Sequence, residues 1–307
     1  MISSFFEKSK PIHSVIAVSV LLLVFVFAKI SAISEPFSLY LLFKQIGVFA
    51  LCVLTVFLLD FLVSKNNLTR KNSYKVLIFV LFVALLPNSI LNTDYIIANI
   101  FVLFAMRRLI SLRSQKQIKK KLFDAAFWIS LATLFCPWCG LFFFLIIISL
   151  FLYSIVDIKN WIVPIIGVAT VVIIGWSFMI VAGMDYVAYV NNMFGVSFDF
   201  SKLNDLSIVV AITLLLSYGN WAIIFYIKQL KSKKKNYRPS FIIILVAEII
   251  ALAVAVVIPD KNGSEFLFLF APLAIILTNY FEIIEEKWFR EVLIMLLIVA
   301  PIVNLIL

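Results

Sequence analysis

The sequence predicts an all-α, polytopic membrane protein, and three observations carry that prediction. Of its 307 residues, 64% are apolar and only 14% charged, whereas a soluble domain is about half apolar and a quarter charged. Mean hydropathy is +1.14. Eleven apolar runs divide the chain, at about 14–33, 39–63, 76–91, 95–112, 122–136, 140–156, 161–183, 207–227, 240–258, 266–281 and 289–307. Most approach the roughly 20 residues that a helical span needs. In hydrocarbon each segment must close its own backbone hydrogen bonds, and the alternation of a lipid-facing barrel strand is absent, so the runs are read as helices. No linker is long enough to set off a soluble domain, and residues 1–307 are expected to form a single transmembrane domain.

The first run follows Glu7, Lys8 and Lys10 and lacks a small-residue cleavage site, which reads as a retained span rather than a signal peptide. Basic residues then set the orientation. With the N-terminus in the cytoplasm and every run crossing, all but four of the 26 Lys and Arg fall on the cytoplasmic side. The exceptions are Lys29, Lys44, Lys202 and Lys261. Such a bias is the positive-inside rule at work, and it places about 11 spans in a bacterial inner (cytoplasmic) membrane with the C-terminus periplasmic. Dropping one middle run would put the basic clusters at 107–121 and 228–238 on opposite faces. The short fifth and sixth runs therefore meet at an outer turn, Cys136-Pro137-Trp138-Cys139-Gly140, unless 122–156 is one span and another run splits. Residues 184–206, with aromatic and polar residues interleaved, read as an interfacial periplasmic segment.

Charge does not point to nucleic acid, because the net +10 sits in loops that fix topology. A single histidine, His13, gives no basis for a histidine-ligated metal or a Ser-His-Asp triad, and no metal ligands are assigned. No P-loop, GxGxxG or HExxH occurs. Cys136 and Cys139 have the CxxC spacing of thiol exchange, but Cys52 lies mid-span and cannot relay electrons, so they read better as small apolar residues in a Pro-containing turn. Glu248 is the one carboxylate deep in a span, and a buried hydrogen bond to a neighbouring helix accounts for it better than a proton relay.

The outer loops hold the remaining candidates. Glu35, in Ser34-Glu35-Pro36, has the position of a general base beside a lipid-borne acceptor, although Ser-Glu-Pro is also a turn signal. Asp94, in Asn92-Thr93-Asp94, is a second candidate for catalysis and equally an N-cap. Asp260, Lys261 and Glu265 fall in one further outer loop, and Lys44, Lys261 or Lys202 could neutralise a phosphate as point charges. Convergence would make Glu35 and Asp94 catalytic and Lys44, Asp260, Lys261 and Glu265 substrate-binding. The cofactor is unknown, with a divalent cation the candidate.

Two stretches carry a resemblance. Asn92-Thr93-Asp94-Tyr95 through Phe101, with Arg107-Arg108 and Lys121 through Phe135, is one; Ile258-Pro259-Asp260-Lys261-Asn262-Gly263-Ser264-Glu265 through Leu273 is the other. Together they resemble a family of unknown function made up of polytopic inner-membrane proteins of flavobacterial type, to which no reaction is assigned. The layout is more distantly similar to the C-superfamily glycosyltransferases, which use a polyprenyl-phosphate sugar and carry a carboxylate in the first outer loop. Glu35 matches that carboxylate by position and Asp94 matches a second acidic site loosely, while a large soluble outer domain and an acidic pair in the first loop are missing. The resemblance implies transfer of a polyprenyl-phosphate-linked sugar at the periplasmic face. The alternatives are a non-catalytic subunit, assembly factor or lipid-binding scaffold of a cell-envelope complex, which the 31 Phe residues suit, or, more weakly, a transporter. Partners would be membrane lipids, that lipid-linked sugar or a membrane complex. The topology is checked by cysteine labelling from outside the cell, which is expected to modify Glu35→Cys and spare Gln117→Cys.

Overall fold

A computed structural model of the chain describes residues 2–32, 38–183 and 195–304. The described residues form twelve α-helices and no strand. The helices are α1 (Ile2–Phe6), α2 (Pro11–Ala32), α3 (Leu39–Asn66), α4 (Tyr74–Leu85), α5 (Thr93–Ile110) and α6 (Ile118–Phe135). They continue with α7 (Phe143–Leu152), α8 (Ile158–Val181), α9 (Leu206–Leu230), α10 (Arg238–Val257), α11 (Leu267–Phe281) and α12 (Lys287–Asn304). Each of the eleven predicted runs corresponds to one of α2 to α12. Among the described residues, seven helical segments are long and apolar enough to cross a membrane: those beginning at Pro11, Leu39, Thr93, Ile158, Leu206, Arg238 and Ser264. Of the others, α4 and α7 are shorter, while α6 and α12 carry more charge. The helix does break at Cys136, which is extended and leads into a 3₁₀ turn, Pro137–Phe142. The chain divides into two compact units: Met1–Ile96, Phe200–Ser232 and Lys261–Leu307 make unit 1, and Ile97–Asp199 with Lys233–Asp260 make unit 2.

Unit 1 is built around α4 and α11. Every residue of α11 is buried, and so is every residue of α4 except Leu77. The two lie antiparallel: Tyr74 meets Phe281 edge-on at 6.1 Å, and Phe82 meets Phe270 at 5.7 Å. Around them stand α2, α3, α9 and α12. Since lipid tails are as apolar as Leu, burial alone does not drive such helices together, and packing with interhelical hydrogen bonds of about 0.6–2 kcal/mol each selects the arrangement. Those bonds also fix direction. His13 Nδ1 lies 2.9 Å from Ser73 Oγ beside the start of α4, and Lys29 Nζ donates to Leu91 O (3.1 Å) beyond its end, so α2 runs parallel to α4. Asn304 Nδ2 donates to Leu85 O (3.1 Å), and Glu291 accepts from Ile2 N and Ser3 N, so α12 is parallel as well. At the α4 start, Tyr74 Oη donates to Ser3 O (2.6 Å) and Asn279 Nδ2 to Leu68 O (3.1 Å). One end of unit 1 thus gathers residues 66–75 and 279–291 with their basic side chains. The opposite end gathers residues 86–94 and 261–267. This is the alternation that the basic loops predict for these helices.

In unit 2, α8 lies along α6, and Gly167 faces Ala126. A Cβ on Gly167 would stand 2.9 Å from both Ala126 Cβ and Phe123 O. Backbone approach of this kind is how small residues join helices in lipid. The basic run 107–121 is tied to its own unit. Arg108 pairs with Asp124 at 2.8 Å, Lys121 Nζ donates to Ser111 O and Ser114 Oγ (both 2.6 Å), and Arg113 stacks 3.9 Å from the Tyr237 ring. Tyr153, just past α7, donates to Ile110 O (3.1 Å) and lies 3.0 Å from Ser240 Oγ. Gly167→Val overpacks the α6–α8 contact and is expected to cost about 1–3 kcal/mol; a lower unfolding temperature of the purified protein, with Gly175→Val on the same helix as the near-neutral control, checks it.

Candidate functional site

Among the described residues, a polar structure forms where α4 ends and α11 begins. Pro87 has no amide hydrogen and disfavours helical backbone at the preceding residue, and Leu86 adopts φ −129°, ψ 77°. A 3₁₀ turn, Pro87–Ile90, follows. Ending α4 leaves carbonyls open in an apolar setting, and Asn304 satisfies that of Leu85. Facing this turn is a second one, Ser264–Phe266, which leads into α11. Gly263 enters it at φ +96°, a backbone region that glycine occupies without strain. A Cβ there would stand 3.1 Å from Asn88 Cβ, so the two turns touch through the missing side chain.

Polar side chains fold back on the second turn. Asn262 Oδ1 accepts from Ser264 N (3.0 Å) and from Ser264 Oγ. Glu265 Oε2 accepts from Gly263 N (3.0 Å) and Asn262 N (3.2 Å). Lys261, 1% exposed, holds its Nζ 4.8 Å from the centre of the Phe200 ring. Its ammonium and the Glu265 carboxylate attract each other. Glu265 Oε1 and Ser89 Oγ, both on residues that are 0% exposed, have no hydrogen-bond partner among the described residues. An unsatisfied buried acceptor costs about 1–3 kcal/mol and more when charged, so this carboxylate oxygen is primed to accept a hydrogen bond or meet a cation.

The sequence-derived candidates separate accordingly. Lys261 and Glu265 are brought together and buried. Lys44 is exposed on α3, and Lys202 is exposed in the 3₁₀ turn Ser201–Leu203. Asp94 is exposed in the first turn of α5, where a negative charge favours the helix dipole. The N-cap there is Asn92, whose Oδ1 accepts from Asp94 N (2.9 Å), so the capping role expected of Asp94 belongs to its neighbour. Asp260 is exposed at the last position of unit 2. Glu35 and residues 184–194 of the interfacial segment lie outside the described residues. Among the described residues no three His, Cys, Asp or Glu side chains converge to hold a metal.

Sequence reasoning missed Asn88 and Ser89. Pro87-Asn88-Ser89 is a turn signal, but it lay inside the apolar run 76–91 and was absorbed by it. In unit 2, Cys136 and Cys139 are free thiols, 1% and 0% exposed, which suits small core residues. Glu248 is buried in α10, and its Oε2 has no hydrogen-bond partner among the described residues. Gly263→Ala puts a methyl group against Asn88 at a left-handed backbone position and is expected to cost about 1–2 kcal/mol or more; thermal unfolding in detergent, with Gly47→Ala at an uncrowded site as control, measures it.

A family model described as a family of unknown function, DUF6427, matches residues 4–306. No curated protein and no solved structure matches the chain. A match over nearly the whole length covers both units and both turns, and the chain belongs to the DUF6427 family.

Proposed function

We propose that this protein is a glycosyltransferase-like enzyme of a bacterial inner membrane that handles a polyprenyl-phosphate-linked sugar at its periplasmic face. The observation that carries the reading is the joined pair of turns: a carboxylate with one oxygen unsatisfied, beside a lysine, inside an apolar helical body. Lys261 supplies the positive charge for a leaving phosphate, and Glu265 a carboxylate that can take a proton from an acceptor hydroxyl. Glu35 and Asp94, assigned by position in the outer loops, would act from the same face. The topology that goes with this has eleven crossings, a cytoplasmic N-terminus and a periplasmic C-terminus. The gathering of basic loops at one end of unit 1 and of both turns at the other supports it.

One observation favours a second reading. Lys261 and Glu265 are at most 1% exposed, so a substrate reaches them only if the 258–266 loop moves. A permanently closed turn would be a structural knot in a non-catalytic envelope subunit. Transfer assays on vesicles holding the purified chain, with a polyprenyl-phosphate sugar as donor, separate the two. Glu265→Gln and Glu35→Gln are each expected to lower transfer by about 100-fold or more while elution from a sizing column is unchanged. No transfer by the unaltered chain, together with a stably co-purifying membrane protein, would establish the scaffold instead.

A further inference from the structure

The basic end of unit 2 is made of three stretches that touch one another. Gln115 Nε2 donates to Tyr153 O (3.3 Å), Arg113 stacks on the Tyr237 ring, and the Tyr153 hydroxyl joins Ile110 O to Ser240 Oγ. Together the stretches 107–124, 153–160 and 233–238 hold twelve Lys and Arg against two acids, Asp124 and Asp157. Asp124 pairs with Arg108, and Asp157 caps α8 by accepting from Lys159 N (3.1 Å). Lys116, Lys119, Lys120, Lys159, Lys234 and Lys235 are exposed, and none has an ion pair among the described residues. The basic end of unit 1 is built differently: its stretches 65–75 and 282–291 hold six bases against four acids. Either balance satisfies the positive-inside rule, so orientation alone does not call for the surplus in unit 2. That surplus is also costly. Lys119 and Lys120 lie in the first turn of α6, at the positive pole of the helix, with no acid in that turn and no side-chain cap from Gln117.

We propose that the basic end of unit 2 binds the phosphates of anionic phospholipid head groups. The level of the lysines selects lipid over a soluble polyanion. Beside Lys159 the chain holds apolar residues in the open, Val156 at 87% and Ile158 at 73% exposure, and what covers such residues in a bilayer is lipid. Trp161 stands edge-on to Phe151 at 5.1 Å and donates to Ile155 O (3.1 Å), an apolar body with a satisfied polar tip, as at the head-group level of a membrane. Lys159 therefore emerges where the apolar belt meets the phosphates. The bond from Gln115 to Tyr153 brings Lys116 and the start of α6 to the same end. Lysine suits this task, because its stem lies along apolar surface while the ammonium meets a phosphate as a point charge. Attraction of this kind accumulates over several lysines and is screened by salt. It is independent of any reaction at Glu265.

The test titrates the purified full-length chain, in a non-ionic detergent, with fluorescent cardiolipin and with fluorescent phosphatidylethanolamine as the zwitterionic comparison. Cardiolipin is expected to bind about tenfold more tightly or better, and the preference to shrink in high salt. The triple variant Lys116→Gln, Lys119→Gln, Lys120→Gln is expected to lose that preference, whereas Lys65→Gln, Lys71→Gln, Lys287→Gln in unit 1 keeps it. Should the first variant elute as an aggregate, Lys159→Gln with Lys234→Gln and Lys235→Gln serves in its place. Equal affinity for the two lipids, or equal losses in the variants of the two units, would mean a charge bias that sets orientation only and would overturn the proposal. Displacement of cardiolipin by an equimolar amount of inositol hexakisphosphate would make the partner a soluble polyanion and overturn it equally.

Discussion

Away from water, a polar group that leaves its helix must find a partner in the protein, and unit 1 is organised by that constraint. Its two central helices are short, and each end of each exposes groups that the bilayer cannot satisfy. Asn304 closes the carbonyl at Leu85, Asn279 that at Leu68, and Tyr74 that at Ser3. Glu282 accepts from Arg70 N (2.7 Å) and Asn72 Nδ2 (2.6 Å) at the same end. Every one of these bonds joins segments distant in sequence, so the order of the outer helices follows from the needs of the inner pair. Lys75, buried in α4, obeys the same rule by meeting Asp60 of α3 at 2.9 Å and Asn72 O at 2.9 Å.

Against that background, the exceptions stand out. Glu265 Oε1 and Ser89 Oγ sit where the two 3₁₀ turns meet, and unit 1 holds others at His13 Nε2, Gln45 Oε1, Arg290 Nε and Asn304 Oδ1. Orphaned groups in native structures call for an explanation, and a ligand that completes them is one. Unit 2 has its own, at Asn99, Ser149 and Glu248. Among the described residues, those at the paired turns combine with a lysine, a left-handed glycine and a junction between two turns.

Much of the fold was legible in the sequence. Each apolar run became a helix, the break at Cys136-Pro137 was real, and the basic loops of unit 1 share one end. Asp60 and Asp124 pair with Lys75 and Arg108. Hydropathy could not distinguish the centre from the periphery. The segment Ile158–Val181 has a mean hydropathy of 2.3 and is 11% buried, whereas Ser264–Phe281 has 1.5 and is wholly buried. In lipid an apolar helix can face the chains at no cost, whereas the one carrying Thr278, Asn279 and Tyr280 must face protein. The site was half legible for the same reason. Lys261 and Glu265 were singled out as charges in an outer loop, but their burial, and the role of Asn88 and Ser89 beside them, came from helices packed at long range.

The sequence by itself determined that the chain is helical, where its segments stop and how its basic loops alternate, because local hydrogen bonding in hydrocarbon and the placement of charge at an interface are properties of neighbouring residues. Only the tertiary structure decided which helices form the core, that the turns Pro87–Ile90 and Ser264–Phe266 close on one another, and which carboxylate oxygens are left without a partner. Those outcomes depend on which groups remain to be satisfied once every helix is in place.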